Sequence, residues 1–182
     1  MRVDLYGLIH KAQRFHLSDF LIRLGKTNAS DERSMELLGA ELRGLIEHLR
    51  DHANNEEQYI HPLFEKIGGA ATLEREHLDL EEGLTGLEQS LSALHWESLY
   101  GRVARFVGNY FLHLDEEETA QRTTLWPNYG DKELAAVFER FKADRAPERA
   151  QADLEFMVPA LSPAESSRLL GWRSPVVRPH RG

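Results

Sequence analysis

The same spacing of a histidine and a glutamate occurs twice in this chain. His52 precedes Glu56 by four positions, and His113 precedes Glu117 by the same distance. On a helix, residues four apart lie on one face, about one turn from each other. An imidazole and a carboxylate held in this way can bind one metal ion, and both suit a first-row transition metal. Each His-x-x-x-Glu pair is therefore a candidate part of a metal site.

Helices must position these side chains, because helical periodicity dominates the sequence. Long helices with short connections are typical of an antiparallel up-down four-helix bundle. The predicted helices cover residues 4–24, with a stop at Gly25, then 32–66, with a kink or an interruption at Pro62, then 71–94 and 96–124. The two pairs fall on the second and fourth helices, which lie diagonally across such a bundle. The predicted fold class is all-α, with extra short helices at the C-terminal end.

The other two helices each offer one histidine to the same core. His10 has apolar neighbours on the first helix, and His77 shares a face of the third helix with several leucines. Every helix of the predicted bundle then contributes to one cluster. The candidate metal ligands are His10, His52, Glu56, His77, His113 and Glu117.

With this pattern, His…His-x-x-x-Glu…His…His-x-x-x-Glu, the chain resembles the hemerythrin-like family, also called the HHE cation-binding domain. The resemblance covers about residues 4–130. It implies a non-haem dinuclear site whose cofactor is two iron ions, although such nitrogen and oxygen ligands also accept zinc or manganese. It also implies a small diatomic ligand or peroxide as the binding partner.

The resemblance also implies how the six residues divide between the two metals. The bridging carboxylates are Glu56 and Glu117. One metal takes His10 and His52, and the other takes His77 and His113. With one bridging oxygen, this set gives each metal five ligands and leaves an octahedral metal one open position.

The chain departs from the oxygen-carrying hemerythrins around its third helix. Those proteins have a His-x-x-x-His motif there, whereas Leu73 and Glu81 stand four positions on either side of His77. Glu117 also replaces their bridging aspartate at a shorter spacing. We therefore expect a reactive or sensing centre in preference to an oxygen store. Glu81 remains open as a seventh ligand.

Several other polar residues near the pairs carry weaker expectations. His48 lies one turn before His52, and we favour a structural role for it over an alternative ligand. His61 precedes Pro62 and is a candidate neighbour of the ligands. The acidic side chains around the fourth-helix pair are expected to be solvated. These are Asp115, Glu116 and Glu118.

Composition excludes several classes of partner and site. The chain has 30 acidic and 22 basic residues, so its formal charge is −8. Nucleic acids and anionic membranes favour basic surfaces, and we expect neither as a partner. The absence of cysteine excludes thiolate metal sites. No run of about 18 apolar residues predicts a membrane span, and the expected location is the cytoplasm.

Three segments are expected along the chain. Residues 1–130 form the bundle, residues 131–172 form an appended helical segment packed on it, and residues 173–182 form a flexible tail with two prolines and three arginines. A homodimer remains open, because composition and pattern are silent on oligomeric state.

This arrangement of residues is compatible with three functions. The first is a non-haem diiron protein that binds or reacts with O2, peroxide or NO, as a binding protein or as an oxidoreductase. The second is a metal- or gas-responsive sensor or interaction module without turnover, in which the appended segment transmits the signal. The third is a bundle that metal binding merely stabilises.

Overall fold

A computed structural model describes residues 2–68 and 71–171 and confirms the all-α bundle. The helices of the bundle and its connections are α1 (Gly7–Lys26), α2 (Glu32–Tyr59), α3 (His61–Glu65), α4 (Ala71–Ser92), α5 (Trp96–Ala120) and α6 (Trp126–Asn128). Helix α1 packs against α2 and α5, and α4 also packs against α2 and α5. Therefore α2 and α5, which carry the two His-x-x-x-Glu pairs, lie diagonally across the bundle as predicted.

The second predicted helix is interrupted next to Pro62, as its sequence predicts. Helix α2 ends at Tyr59, and α3 begins at His61 with Pro62 in its first turn. Proline has no N–H to pair with the carbonyl four residues earlier, which belongs to Gln58. That carbonyl accepts a hydrogen bond from Arg140 of the C-terminal region, at 3.4 Å.

Helix α1 begins and ends later than predicted. Asp4 lies before the helix, and its Oδ1 accepts the backbone N–H of Gly7 at 2.9 Å. At the other end, the helix continues through Gly25 to Lys26. A Cβ on Gly25 would lie 2.8 Å from the ring of Tyr100, so the glycine permits close approach of α5 and does not stop the helix. Phe15 of this helix is 46% exposed.

The end of α5 also differs from a plain helix. Residues Gln121–Leu125 continue it as a π-helical turn. The buried Gln121 side chain donates to Asp4 Oδ1 at 2.9 Å and accepts the backbone N–H of Leu5 at 2.7 Å. The chain before α1 is thereby fixed to the end of α5.

A polar layer separates two apolar clusters inside the bundle. The larger cluster extends along α2 as far as Leu49, and the smaller one includes Leu63 of α3. His52 and Glu56 lie between these two positions. On α4, His77 likewise lies between a leucine of the smaller cluster and the leucines of the larger one. Packing on both sides therefore holds the polar side chains in the middle of the bundle.

The C-terminal region packs on this bundle as three further helices. They are α7 (Asp131–Asp144), α8 (Pro147–Met157) and α9 (Pro163–Gly171). Leu134 of α7 is fully buried in the smaller apolar cluster, and Phe156 of α8 packs against the larger one. The expected tail, residues 173–182, lies outside the described residues. No helix in the described part of the chain has the length and apolar character needed to cross a membrane.

Candidate metal centre

The structure brings the six predicted ligands together in the polar layer. One group contains His10, His52, Glu56 and Glu117, and a second contains Glu56, His77, His113 and Glu117. Within each group, one ligand atom per residue lies within 4.8 Å of the others. The two carboxylates belong to both groups. This is the division of residues that the sequence pattern led us to expect.

Each carboxylate faces histidines of both groups. Glu56 Oε1 lies 2.9 Å from His52 Nε2, and its Oε2 lies 3.5 Å from His77 Nε2. Glu117 Oε2 lies 3.4 Å from His10 Nε2 and 3.3 Å from His113 Nε2. A glutamate placed in this way can bridge two cations, one bound by each group.

The donor atoms are buried, and several have no hydrogen-bond partner among residues 2–68 and 71–171. They include His52 Nε2, His77 Nε2, Glu56 Oε2 and both carboxylate oxygens of Glu117. Glu56 is 2% exposed and Glu117 is fully buried. Buried polar atoms nearly always have a partner. Metal ions would satisfy these atoms, and the nitrogen and oxygen donor set fits iron, zinc or manganese.

In three of the four histidines, the Nδ1 atom of the ring is hydrogen-bonded to a supporting carboxylate. A carboxylate can only accept, so each imidazole donates its Nδ1–H and directs Nε2 into the site. Metal-binding histidines typically show this arrangement. The pairs are His10 with Glu118 (3.1 Å), His77 with Glu57 (3.2 Å) and His113 with Glu76 (3.1 Å).

Comparison with protein families agrees with this geometry. The family model described as the hemerythrin HHE cation binding domain matches residues 9–125, which is more than half of the chain. The chain belongs to this family. All six candidate ligands lie within the matched part of the HHE domain, whereas α7, α8 and α9 lie outside it. No curated protein and no solved structure shows a significant match.

The expectation that Glu118 of the HHE domain is solvated is wrong. Its side chain is 20% exposed and also pairs with Arg14 at 2.6 Å. Sequence reasoning missed the supporting roles of Glu57 and Glu76 as well. All three residues stand next to a candidate ligand in the sequence, which is the one signal that could have drawn attention to them.

Electrostatics show how strongly the buried carboxylates of the HHE domain favour cations. Without a bound metal, burial disfavours the charged form of His10, but hydrogen bonds to Glu118 and Glu56 outweigh it and raise its pKa to about 9. Burial also disfavours the charged form of His77, but the interactions with Glu117 and Glu56 outweigh it and raise the pKa of His77 to about 9. The pKa of Glu56 lies well below its ordinary value, because the imidazoles around it outweigh its burial. Metal ions must displace these protons to bind.

Two buried tyrosines lie close to the carboxylate layer. Burial, followed by the charges of Glu117 and Glu56, raises the pKa of Tyr6 well above its ordinary value. The same causes raise the pKa of Tyr110. The Tyr6 ring centroid lies 4.9 Å from that of His10, and its hydroxyl has no hydrogen-bond partner within the described part of the domain. Tyr6 therefore keeps its proton, and its hydroxyl can donate a hydrogen bond to a bound molecule.

The residues that remained open as ligands lie outside both groups. Glu81 pairs with Arg50 at 2.7 Å on the surface of the bundle. His48 stacks on Phe156 of α8, with ring centroids 3.7 Å apart, and burial lowers its pKa to about 3. His61 is buried with its ring centroid 4.7 Å from that of His77. It is thus a neighbour of the ligand layer, as its position before Pro62 suggested.

Proposed function

We propose that this HHE domain holds two iron ions and binds or reacts with O2, peroxide or NO. The proposed ligands are His10, His52, Glu56, His77, His113 and Glu117. The observation that supports this most directly is the pair of buried carboxylates, each facing histidines of both groups. Zinc or manganese would satisfy the same donors, so the choice of iron rests on the family resemblance.

The chain's own residues prepare the site in three ways. The supporting carboxylates fix the tautomers of three histidines and direct their Nε2 atoms inward. Apolar clusters on both sides limit the entry of water. Tyr6, whose ring lies next to that of His10, keeps its proton and can donate a hydrogen bond to a small polar molecule. Bound iron would supply the electrons for reduction of O2 or peroxide.

Metal analysis of single variants tests the ligand assignment. We expect two metal ions per chain in wild-type protein from iron-rich medium. His52→Ala should lower occupancy of the first group, and His113→Ala that of the second. The double variant should hold little metal. His95→Ala is the matched control, because His95 is exposed and lies between α4 and α5. Wild-type protein whose metal content equals that of the double variant would contradict the proposal.

Optical spectra separate reactivity from metal binding alone. Iron-loaded, chemically reduced protein is exposed in turn to O2, peroxide and NO, and the visible absorption spectrum is recorded. We expect a spectral change with at least one of them that the His52→Ala/His113→Ala variant lacks. Unchanged spectra with all three would leave a metal-binding domain of the third, purely structural kind.

A signalling role is the second candidate, and one ion-pair chain favours it. Asp51 precedes His52 on α2, and Arg145 binds it from the C-terminal region, with Nη1 to Oδ1 at 3.2 Å. Arg145 also pairs with Asp153 of α8 at 2.8 Å. A shift of α2 on metal binding would therefore reach α8. If hydrogen exchange in residues 131–171 is identical with and without metal, this role is excluded.

A further inference from the structure

A cavity of about 310 Å³ lies between the bundle and the appended helices. Helices α1 and α2 form one wall, and α7, α8 and α9 form the other. His52 and Glu56, two of the proposed ligands, line the wall on the side of the bundle. Because the family match ends at residue 125, membership of the family assigns nothing to this cavity.

Most of the cavity wall is apolar. Helix α1 contributes Ile9, and the appended helices contribute aliphatic and aromatic side chains from three directions. These are Val137, Phe141, Leu154, Met157 and Leu169. A cavity lined in this way binds apolar molecules more readily than water.

Apart from the proposed ligand Glu56, the charged side chains on the wall are already paired with opposite charges. Arg145 binds both Asp51 and Asp153, and Lys142 lies 2.7 Å from Glu139. A charged molecule would have to break one of these pairs to gain a partner. The wall therefore selects against ionic ligands.

Besides the proposed metal ligands, His48 also lines the cavity and offers a polar contact. The Nε2 atom of His48 is buried and has no hydrogen-bond partner in residues 2–68 and 71–171. Stacking on Phe156 of α8 fixes the orientation of this ring. A hydroxyl or carbonyl group on a ligand would satisfy Nε2, and an unsatisfied buried nitrogen otherwise costs free energy.

We propose that this cavity binds a neutral aromatic molecule about the size of a two-ring system, with a hydroxyl or carbonyl group directed at His48. The size follows from volume, since a cavity of about 150 Å³ holds one benzene ring. Its position against His52 and Glu56 would place the molecule beside the first metal. This inference rests on the proposed function for the metal that would lie beside the molecule. Binding of the molecule itself requires no metal.

Filling the cavity tests the proposal. The neutral two-ring dye 6-propionyl-2-(dimethylamino)naphthalene (prodan), which carries a carbonyl group and whose fluorescence changes in apolar surroundings, is titrated into full-length protein. Ala150 of α8 lines the cavity, whereas Ala152 on the same helix is exposed. We expect saturable binding to wild type and to Ala152→Trp. Ala150→Trp should weaken binding roughly tenfold or more, because the indole occupies the cavity.

Two controls keep the result interpretable. Circular dichroism checks folding, and Ala150→Leu replaces Ala150→Trp if the latter unfolds. Equal dye affinity in both tryptophan variants, or no saturable binding to wild type, overturns the proposal. Metal content is measured on the same samples. If protein from iron-rich medium contains no metal but still shows saturable, Ala150-dependent dye binding, the diiron function is wrong and the cavity proposal stands.

Competition against the dye tests the ligand class. We expect naphthalene and 2-naphthol to displace it, and naphthalene-2-carboxylate to do so poorly. His48→Leu should weaken 2-naphthol more than naphthalene, because only the former has a group for Nε2. Preference for the carboxylate, or equal losses for naphthalene and 2-naphthol in His48→Leu, would contradict the assigned chemistry.

Discussion

Oε1 of Glu118 lies 3.1 Å from Nδ1 of His10, so a side chain of α5 supports a proposed ligand on α1. The other two supporting carboxylates follow the same order around the bundle. Helix α2 supports α4 through Glu57 and His77, and α4 supports α5 through Glu76 and His113. Each supporting residue is next in sequence to a candidate ligand. The orientation of these three histidines thus depends on the position of a neighbouring helix.

Replacing Glu118 tests this dependence. Glu118→Gln removes the charge that orients His10, and loss of such a partner typically lowers metal affinity about 10- to 100-fold. We expect weaker binding of the first metal in a competition titration with a chromophoric chelator. Glu97→Gln, an exposed change on the same helix, is the control. Equal affinities in the two variants would show that Glu118 does not support the site.

Replacing Tyr6 separates reactivity from metal binding. Tyr6→Phe removes the hydroxyl beside His10 but none of the proposed ligands. We expect unchanged metal content and a slower or altered spectral change with O2, peroxide or NO. Stability should change little, because the hydroxyl has no hydrogen-bond partner among the described residues. The exposed Tyr100→Phe is the control, and identical kinetics in both variants would remove Tyr6 from the reaction.

Helical periodicity and two repeated spacings were enough to predict the bundle and the cluster of six side chains. The spacing succeeded because residues four apart share a helix face wherever the helix packs. It could not reveal Glu118, because the residue after a ligand points about 100° away on the helix. Whether that direction meets His10 depends on which helix lies on that side, and the pattern of a single helix does not report this.

The cavity could not be predicted for a similar reason. Val137, Leu154 and Leu169 stand on three short helices whose packing against the bundle follows from no local spacing. The break before Pro62 has a local cause, whereas Arg140, which binds the carbonyl of Gln58, comes from a distant part of the chain. Local rules therefore predict the elements, but not the tertiary contacts between them.

Chelation should lower the stability of the protein. A ligand that binds only the folded state stabilises it by about 4 kcal/mol per site when its free concentration is a thousand times Kd. We expect a lower melting temperature for wild type after chelation, since the buried carboxylates then lose their cations. The His52→Ala/His113→Ala variant should respond little. A wild-type melting temperature that is insensitive to chelator would mean that the layer holds no tightly bound metal.

Docking of the appended segment depends on Leu134. Its side chain is fully buried among Leu63, Phe64, Leu73 and Leu125, which lie beside the ligand layer. Leu134→Ala leaves a cavity there, and such changes typically cost about 2–5 kcal/mol of unfolding free energy. Because α7 also forms part of the dye-binding cavity, we expect weaker prodan binding together with the loss of stability. Denaturant unfolding measures the first effect, with the exposed Lys132→Ala as control. Unchanged stability would mean that residues 131–171 are not docked on the bundle in solution, and the cavity proposal would then fail with them.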